Sequence, residues 1–286
     1  LRPDIPPGRI QGKLCRNGLR HKKQHQPPRT RRIQTCRFFE DPTKIITMEP
    51  EVCTGIVLKI NGYSDALKII HLYSKERGHL SMIAPSALFK RKTKTIHPFQ
   101  TVEIEYLPNE RGGLHRLKTA DPLTSLPHLY MDIVKMNILL LWGEILHILL
   151  KNEGKNESLF HYITRSVDYL NSSEGDTGNF NLCFLYRLSL PLGYRINTDT
   201  WQEGYLFCPT DGSFHPTDTS TPCVSGPNTA RIIHTLCTCP IESLRNIPLN
   251  QAARNVLLDV LLLFYQYHLN LNFNSKALQV IREIFV

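Results

Sequence analysis

The chain has 286 residues, 41% of them hydrophobic and 21% charged, a composition that excludes a wholly disordered or collagen-like protein. Its formal net charge of +9 points toward nucleic acid or an anionic surface. The excess is confined, because residues 1–47 hold 12 Lys or Arg against Asp4, Glu40 and Asp41, whereas residues 48–286 hold 22 basic and 22 acidic residues.

Residues 1–47 show no apolar periodicity and contain five prolines before residue 30. They bury too little to fold alone. Three readings stand: a disordered basic arm for nucleic acid, a transit-type presequence, or translated upstream sequence. The third is the expectation, since the chain starts at Leu1 and Met48 stands just before the first patterned segment. No function is assigned to this extension.

From Val52 the hydrophobic period falls to two. "VCTGIVLKING" predicts a strand ending at the Asn61-Gly62 turn signal, "ALKIIHLYSKERG" a second closed by Gly78, and "HLSMIAP" a third stopped by Pro85. After a basic stretch, "FQTVEIEYL" and "LHRLKTADPL" flank the "PNERGG" turn. In the former, Val102, Ile104 and Tyr106 share one face, and Thr101, Glu103 and Glu105 the other. Five strands with one long interruption, between the third and fourth, predict a small closed barrel over residues 48–122. An OB-fold fits that pattern, with an SH3-like barrel as the alternative.

Helical patterning follows over residues 123–286. Helices are expected at 130–152, at 158–170 behind the capping residue Asn156, at 179–193, at 228–239, at 249–269 and at 275–285. The Gly-, Pro- and Thr-rich residues 194–227 read as an irregular insertion with a hairpin at Asp211-Gly212. The expected class is α+β, a β-barrel followed by an all-helical domain. The apolar run 133–150 is interrupted at Lys135, Asn137, Glu144 and His147 and so reads as a buried helix with one polar stripe rather than a membrane span.

No P-loop, G-x-G-x-x-G, G-x-S-x-G or H-E-x-x-H occurs, and the 12 histidines are scattered, so no catalytic residue and no enzyme activity are expected. Cys208, Cys223, Cys237 and Cys239 cluster, but at spacings of x₁₄, x₁₃ and x₁, without the paired C-x₂-C that aims two thiolates at one zinc ion. Free structural cysteines, no metal and no cofactor are the expectation, in keeping with a reducing cytosol.

Within residues 48–286 the positive half comes first: residues 48–122 carry 11 basic and 8 acidic side chains, and residues 123–286 carry 11 and 14. The barrel's basic residues concentrate at Lys75 and Arg77, at Lys90, Arg91, Lys92 and Lys94 within "LFKRKTKTIHPF", and at Arg111, Arg116 and Lys118. A positive groove with aromatic platforms is how such barrels hold single strands. Alternation assigns Tyr106 to the core. Phe89, beside the basic run, is either a base-stacking platform or an anchor for the loop. The competing reading of the run itself is a solvated loop.

"TGIVLKINGYSDALKIIHLYSKERGHLSMIAPSA" resembles the opening of the bacterial recombination mediator family RecO, with its "GIVL" strand at 55–58, its turn at 63–65 and its strand end from Ile70 through Tyr73 to Gly78. Residues 98–122 are similar to the family's fourth and fifth strands, and "FLYRLSLPLGY" to its helix ending in L-G-Y. The resemblance spans about 48–286. It implies an OB-fold and a helical domain, binding of single- and double-stranded DNA, strand annealing, and work with RecR to load RecA onto DNA coated by single-strand binding protein, whose acidic, hydrophobic-ended tail the family also recognises. A location at the bacterial nucleoid in the cytoplasm is implied too. Many members carry two C-x₂-C pairs for zinc after the L-G-Y helix. This chain has "YLFCPTDGSFHP" there, so no zinc is expected. The DNA-contacting residues expected on this reading are Lys90, Arg91, Lys92 and Lys94, supported by Arg77, Arg116, Lys75, Lys118 and Phe89. A tail-binding pocket is expected near Arg187, Arg254 or Arg282. The alternative function is a protein–protein adaptor whose barrel makes no direct DNA contact.

Overall fold

The computed structural model describes residues 49–89, 95–174, 177–218 and 225–273. The expected helix at 275–285, Arg282 and the run Lys90, Arg91, Lys92 and Lys94 lie outside the described residues.

Five strands, β1 (Glu51–Gly62), β2 (Leu67–Ser74), β3 (Gly78–Pro85), β4 (Thr101–Leu107) and β5 (His115–Pro122), close a barrel in the order β1-β2-β3-β5-β4. All neighbours run antiparallel except β3 and β5, which pair parallel through Met82↔His115 and Ile83↔Arg116. That order is the OB arrangement, and closure leaves no free sheet edge. Alternation fills the interior as expected, with Val102, Ile104 and Tyr106 packed against Val57, Ile70, Leu72 and Met82.

β1 is buried on both faces. Cys53 and Val57 point into the barrel, whereas Ile56 and Leu58 point outward into a second core built by the helices. That outer contact fixes the barrel against α2 (Ile133–Leu149), where Gly143 passes so close that a Cβ there would stand 2.9 Å from the Leu58 carbonyl oxygen. A second contact clamps the β2–β3 turn. Gly78 has φ +76°, a Cβ on it would lie 2.4 Å from the Gly154 carbonyl carbon, and the adjacent His79 N–H donates to Glu153 O at 3.0 Å. Only glycine fits both the left-handed backbone and the space.

The helices follow their local signals with two differences. The expected helix at 130–152 is broken into α1 (Pro127–Met131) and α2, because Asp132 adopts an extended backbone and its carboxylate accepts from the N–H groups of Val134 and Lys135. The helix expected at 179–193 is α4 (Gly178–Arg187), which ends before Pro191 in a run of turns. Asn156 caps α3 (Glu157–Ser172) as expected, accepting from Leu159 N–H at 3.0 Å. A two-stranded hairpin, β6 (Leu206–Cys208) and β7 (Ser213–His215), sits at the expected Asp211-Gly212 turn. α5 (Pro227–Thr238) and α6 (Gln251–Leu269) complete the body, and Asn270 ends α6 in the left-handed region at φ 50°.

The helical core centres on Trp142, whose ring stacks on Phe184 at 3.7 Å and whose Nε1–H donates to Asn181 at 2.7 Å. Lys135, 5% exposed, donates to Ser173 O at 2.6 Å and so neutralises the carbonyl end of α3. No described helix is long and apolar enough to cross a membrane.

The expectation of free cysteines needs one correction. Cys53, Cys183, Cys237 and Cys239 carry free thiols, but the buried Cys208 is disulfide-bonded. Pairing depends on which segments the fold brings into contact, and spacing along the chain does not reveal that.

Candidate nucleic-acid interface

The parallel pairing of β3 with β5 sets the geometry of the basic surface. Leu117 faces the barrel interior, so Arg116 and Lys118 on either side of it project outward beside the end of β3. There they bound a groove of about 510 Å³, with Arg116, Lys118 and Leu107 facing Pro85, Ala87 and Leu88. Among the described residues neither Arg116 nor the nearby Arg111 has an ion-pair partner.

Both anchors of that connection are buried. Phe89 is 3% exposed and Ile96 4%, and both join the barrel core. A ring buried in this way offers no face to a base, so of the two roles weighed for Phe89 the structure shows the anchor and not the stacking platform. Its outer neighbour is Lys68, whose Nζ sits 5.4 Å from the ring centroid. Downstream, Phe99 takes φ +65°, rare for a bulky residue. It is held there by its own N–H donating to Val57 O at 2.6 Å and by an edge-on contact with Trp142. Tyr130 Oη–H donates to Pro98 O at 2.8 Å. Phe89 and Ile96 are thus both held in the barrel core, and Phe99 is held by Val57 and Trp142.

The remaining basic residues fall elsewhere or are neutralised. Ser74↔Gly78 closes the β2–β3 turn five residues from Ile83 on β3, so Lys75 and Arg77 lie about 17 Å from Arg116 along the strand. Arg77 pairs with Glu51 at 2.9 Å and Lys75 with Glu157 at 3.0 Å. Glu51 is shared, since it also accepts from the Tyr106 hydroxyl at 2.5 Å. Burial and that bond push the phenol well above its ordinary value. Lys118 reaches Glu105 at 3.4 Å, an exposed pair of small worth. Tyr73 is fully buried, with its hydroxyl donating to Gly154 O at 2.8 Å. Of the nine expected contacts, the fold brings Arg116 and Lys118 together, separates Lys75 and Arg77 from them and buries Phe89, while Lys90, Arg91, Lys92 and Lys94 lie outside the described residues.

Sequence reasoning missed the apolar wall of the groove and the pairing of Lys75, whose partner is 82 residues away. No local signal carries that pairing. A second cavity, of about 220 Å³, lies between α2, α4 and α6, lined by Val134, Ile138, Leu141, Leu182, Leu258 and Arg254. Arg254 Nε–H donates to Asn179 Oδ1 at 3.3 Å there. Arg187 is engaged differently, donating to the carbonyls of Leu236 and Cys239 at the end of α5.

Residues 48–126 match the family described as "Recombination protein O N terminal". Over 235 residues the chain is 30% identical to the DNA repair protein RecO of Christiangramia forsetii, covering 81% of this chain and 97% of that protein. It is 28% identical over 237 residues to DNA repair protein RecO of Phocaeicola vulgatus, with the same coverage. It is also 28% identical over 227 residues to the Porphyromonas gingivalis protein of that name, covering 76% and 92%.

Proposed function

We propose that this chain, which belongs to the RecO family, acts in DNA repair by binding DNA along the β3–β5 groove and annealing complementary strands. The observation that supports the site is the groove bounded by Arg116, which has no ion-pair partner among the described residues; the proposal adds Lys90, Arg91, Lys92 and Lys94, which follow Phe89 in the sequence. The mechanism is electrostatic. Cations at the rim neutralise phosphates and lower the repulsion between two strands held side by side, without reading sequence. No group that does covalent chemistry is part of the proposal.

The partners follow from the same family reading. The chain works with RecR to load RecA onto DNA coated by single-strand binding protein, in the bacterial cytoplasm. The acidic, apolar-ended tail of that binding protein fits the α2–α4–α6 cavity, with its apolar end among Ile138, Leu141 and Leu258 and a carboxylate at Arg254. One observation favours the adaptor reading: acids already neutralise Lys75, Arg77 and Lys118.

Fluorescence anisotropy with labelled single-stranded DNA separates the two. Affinity should fall steeply with salt, by about 0.7 in log–log slope per phosphate contacted. The measurement belongs on both the full chain and a chain starting at Met48, so that the basic extension does not supply the result. Salt-independent binding, or none at low salt, leaves the adaptor. For the tail, Arg254→Ala should weaken binding of a labelled acidic peptide ending in Phe at least tenfold while leaving the DNA salt slope unchanged.

A further inference from the structure

We propose that His71, His79 and His147 form a binding site for one divalent transition-metal ion, Zn²⁺, that fastens the barrel to the helical body. The three residues come from β2, β3 and α2, separated by 7 and 67 intervening residues, and match no ligand motif. The fold assembles them. His71 pairs across the sheet with Ser81, and His79 lies two residues back along β3 on the same outward face. The last turn of α2 brings His147 over both, with ring centroids 4.3 Å from His71 and 5.8 Å from His79.

The donor atoms are arranged for a ligand rather than for one another. One nitrogen from each ring lies within 4.8 Å of the others. Two nitrogens bound at 2.0–2.1 Å to a tetrahedral ion stand about 3.3 Å apart, a difference that small ring rotations take up. His79 Nε2 and His147 Nδ1 are buried with no hydrogen-bond partner, an expense that most native buried nitrogens avoid. His71 Nδ1 lies 2.8 Å from Ser81 Oγ. With its proton donated there, Nε2 carries the lone pair, and Ser81 plays the orienting part that a second partner plays for metal-bound imidazoles.

The electrostatics agree with neutral ligands. Burial first, and then the neighbouring rings, push His71 and His79 down to about 4, and burial also lowers His147. Lys59 and Lys151 face the site and oppose a cation, but Lys59 is ion-paired with Glu144 one turn before His147. An all-imidazole set suits zinc, copper or nickel and not magnesium or calcium. Three histidines leave a fourth position, which water fills. The role inferred is structural, since the ligands span the seam where Gly78 and Gly143 bring the two parts into contact.

The test uses the full chain stripped with chelator. Isothermal titration should show one Zn²⁺ per chain, and Co²⁺ should give the visible bands of a four-coordinate, nitrogen-ligated ion without a sulfur charge-transfer band. His79→Ala and His147→Ala should each weaken Zn²⁺ at least about 100-fold, and Ser81→Ala about tenfold. His71→Gln, closer in volume, guards against a variant that fails to fold. In addition, the wild-type cobalt spectrum reads the ligand type without any substitution. Absence of metal binding by the folded chain overturns the proposal and leaves three packed neutral rings. Binding that survives the loss of all three histidines, or a sulfur charge-transfer band, overturns it in favour of the cysteines. Neither outcome touches the DNA reading, which the salt slope decides independently.

Discussion

The barrel and the helical body treat their charges in opposite ways. The body draws charge inward and uses it: Lys135 closes the end of α3, Arg187 closes α5, and Glu144 reaches across to Lys59 of the barrel. The barrel keeps its charge outside and divides it between its two ends. At the β2–β3 turn the cations are matched by Glu51 and Glu157, and at the β3–β5 groove Lys118 meets Glu105 but Arg116 has no ion-pair partner among the described residues. A count of basic residues along the chain cannot tell these ends apart. A cation without an acid beside it meets phosphate with no partner to give up, whereas a paired one first loses an exposed contact worth about 0–1 kcal/mol.

The largest expected effect tests the groove end. Replacing Lys90, Arg91, Lys92 and Lys94 together by Ala should lower the salt slope for single-stranded DNA by about 3, the value for four phosphates at 0.7 each. Thermal stability should stay within a degree or two, since their neighbours Phe89 and Ile96 still anchor the connection. An unchanged slope would move the DNA site away from the groove.

Next in size is the seam between the two regions. Gly78→Ala adds a left-handed backbone penalty of about 1–2 kcal/mol to a clash with Glu153 and Gly154. Gly143→Ala should cost about 1–3 kcal/mol through its contact with the Leu58 carbonyl. Urea unfolding should show both losses, with Gly78→Ala the larger, while the DNA salt slope of the folded protein stays the same. A variant that changed slope and stability together would show that groove and seam are not independent.

Acid should loosen the same seam. His71 and His79 are neutral when folded, with values near 4, against an ordinary 6.5 when unfolded. Between pH 6.5 and 4 the unfolded chain therefore binds more protons, so this stability is complete above 6.5 and declines as pH falls through that window. Allowing about 1 kcal/mol for each half-buried ring, the melting temperature in chelator should drop by about 5 °C from pH 7.5 to 4.5. His71→Gln and His79→Gln together should flatten that dependence, and a profile that persists without them would assign it to other groups.

The smallest effect is the sharpest on the two ends of the barrel. Arg116→Ala should reduce the salt slope by about 0.7 and Arg77→Ala by nothing measurable, because Arg77 is held by Glu51. Equal reductions would mean that DNA runs over both ends.

Much of this fold was legible in the residues. The alternation of Val102, Ile104 and Tyr106, the Asp211-Gly212 turn and the Asn156 cap each act within a few positions, so pattern alone located the strands, the hairpin and the start of α3. Asn61 and Gly62, by contrast, stay paired with Ile69 and Lys68, and the chain turns only at residues 63–66. The break at Asp132 was equally local, and it went unnoticed because the apolar run continues across it. The polar stripe of α2 was visible too, but not its destination: Lys135 meets α3, and Glu144 and His147 meet the barrel. By itself the sequence determined a five-stranded barrel ahead of a helical body, a positive first half and the family likeness. Only the tertiary structure decided that Phe89 is buried, that Lys75 and Arg77 are matched while Arg116 is not, and that three distant histidines share one point. The reason is range. Hydrophobic period and capping are short-range, whereas ion pairing and ligand clustering depend on contacts between residues tens of positions apart, which exist only once the chain is folded.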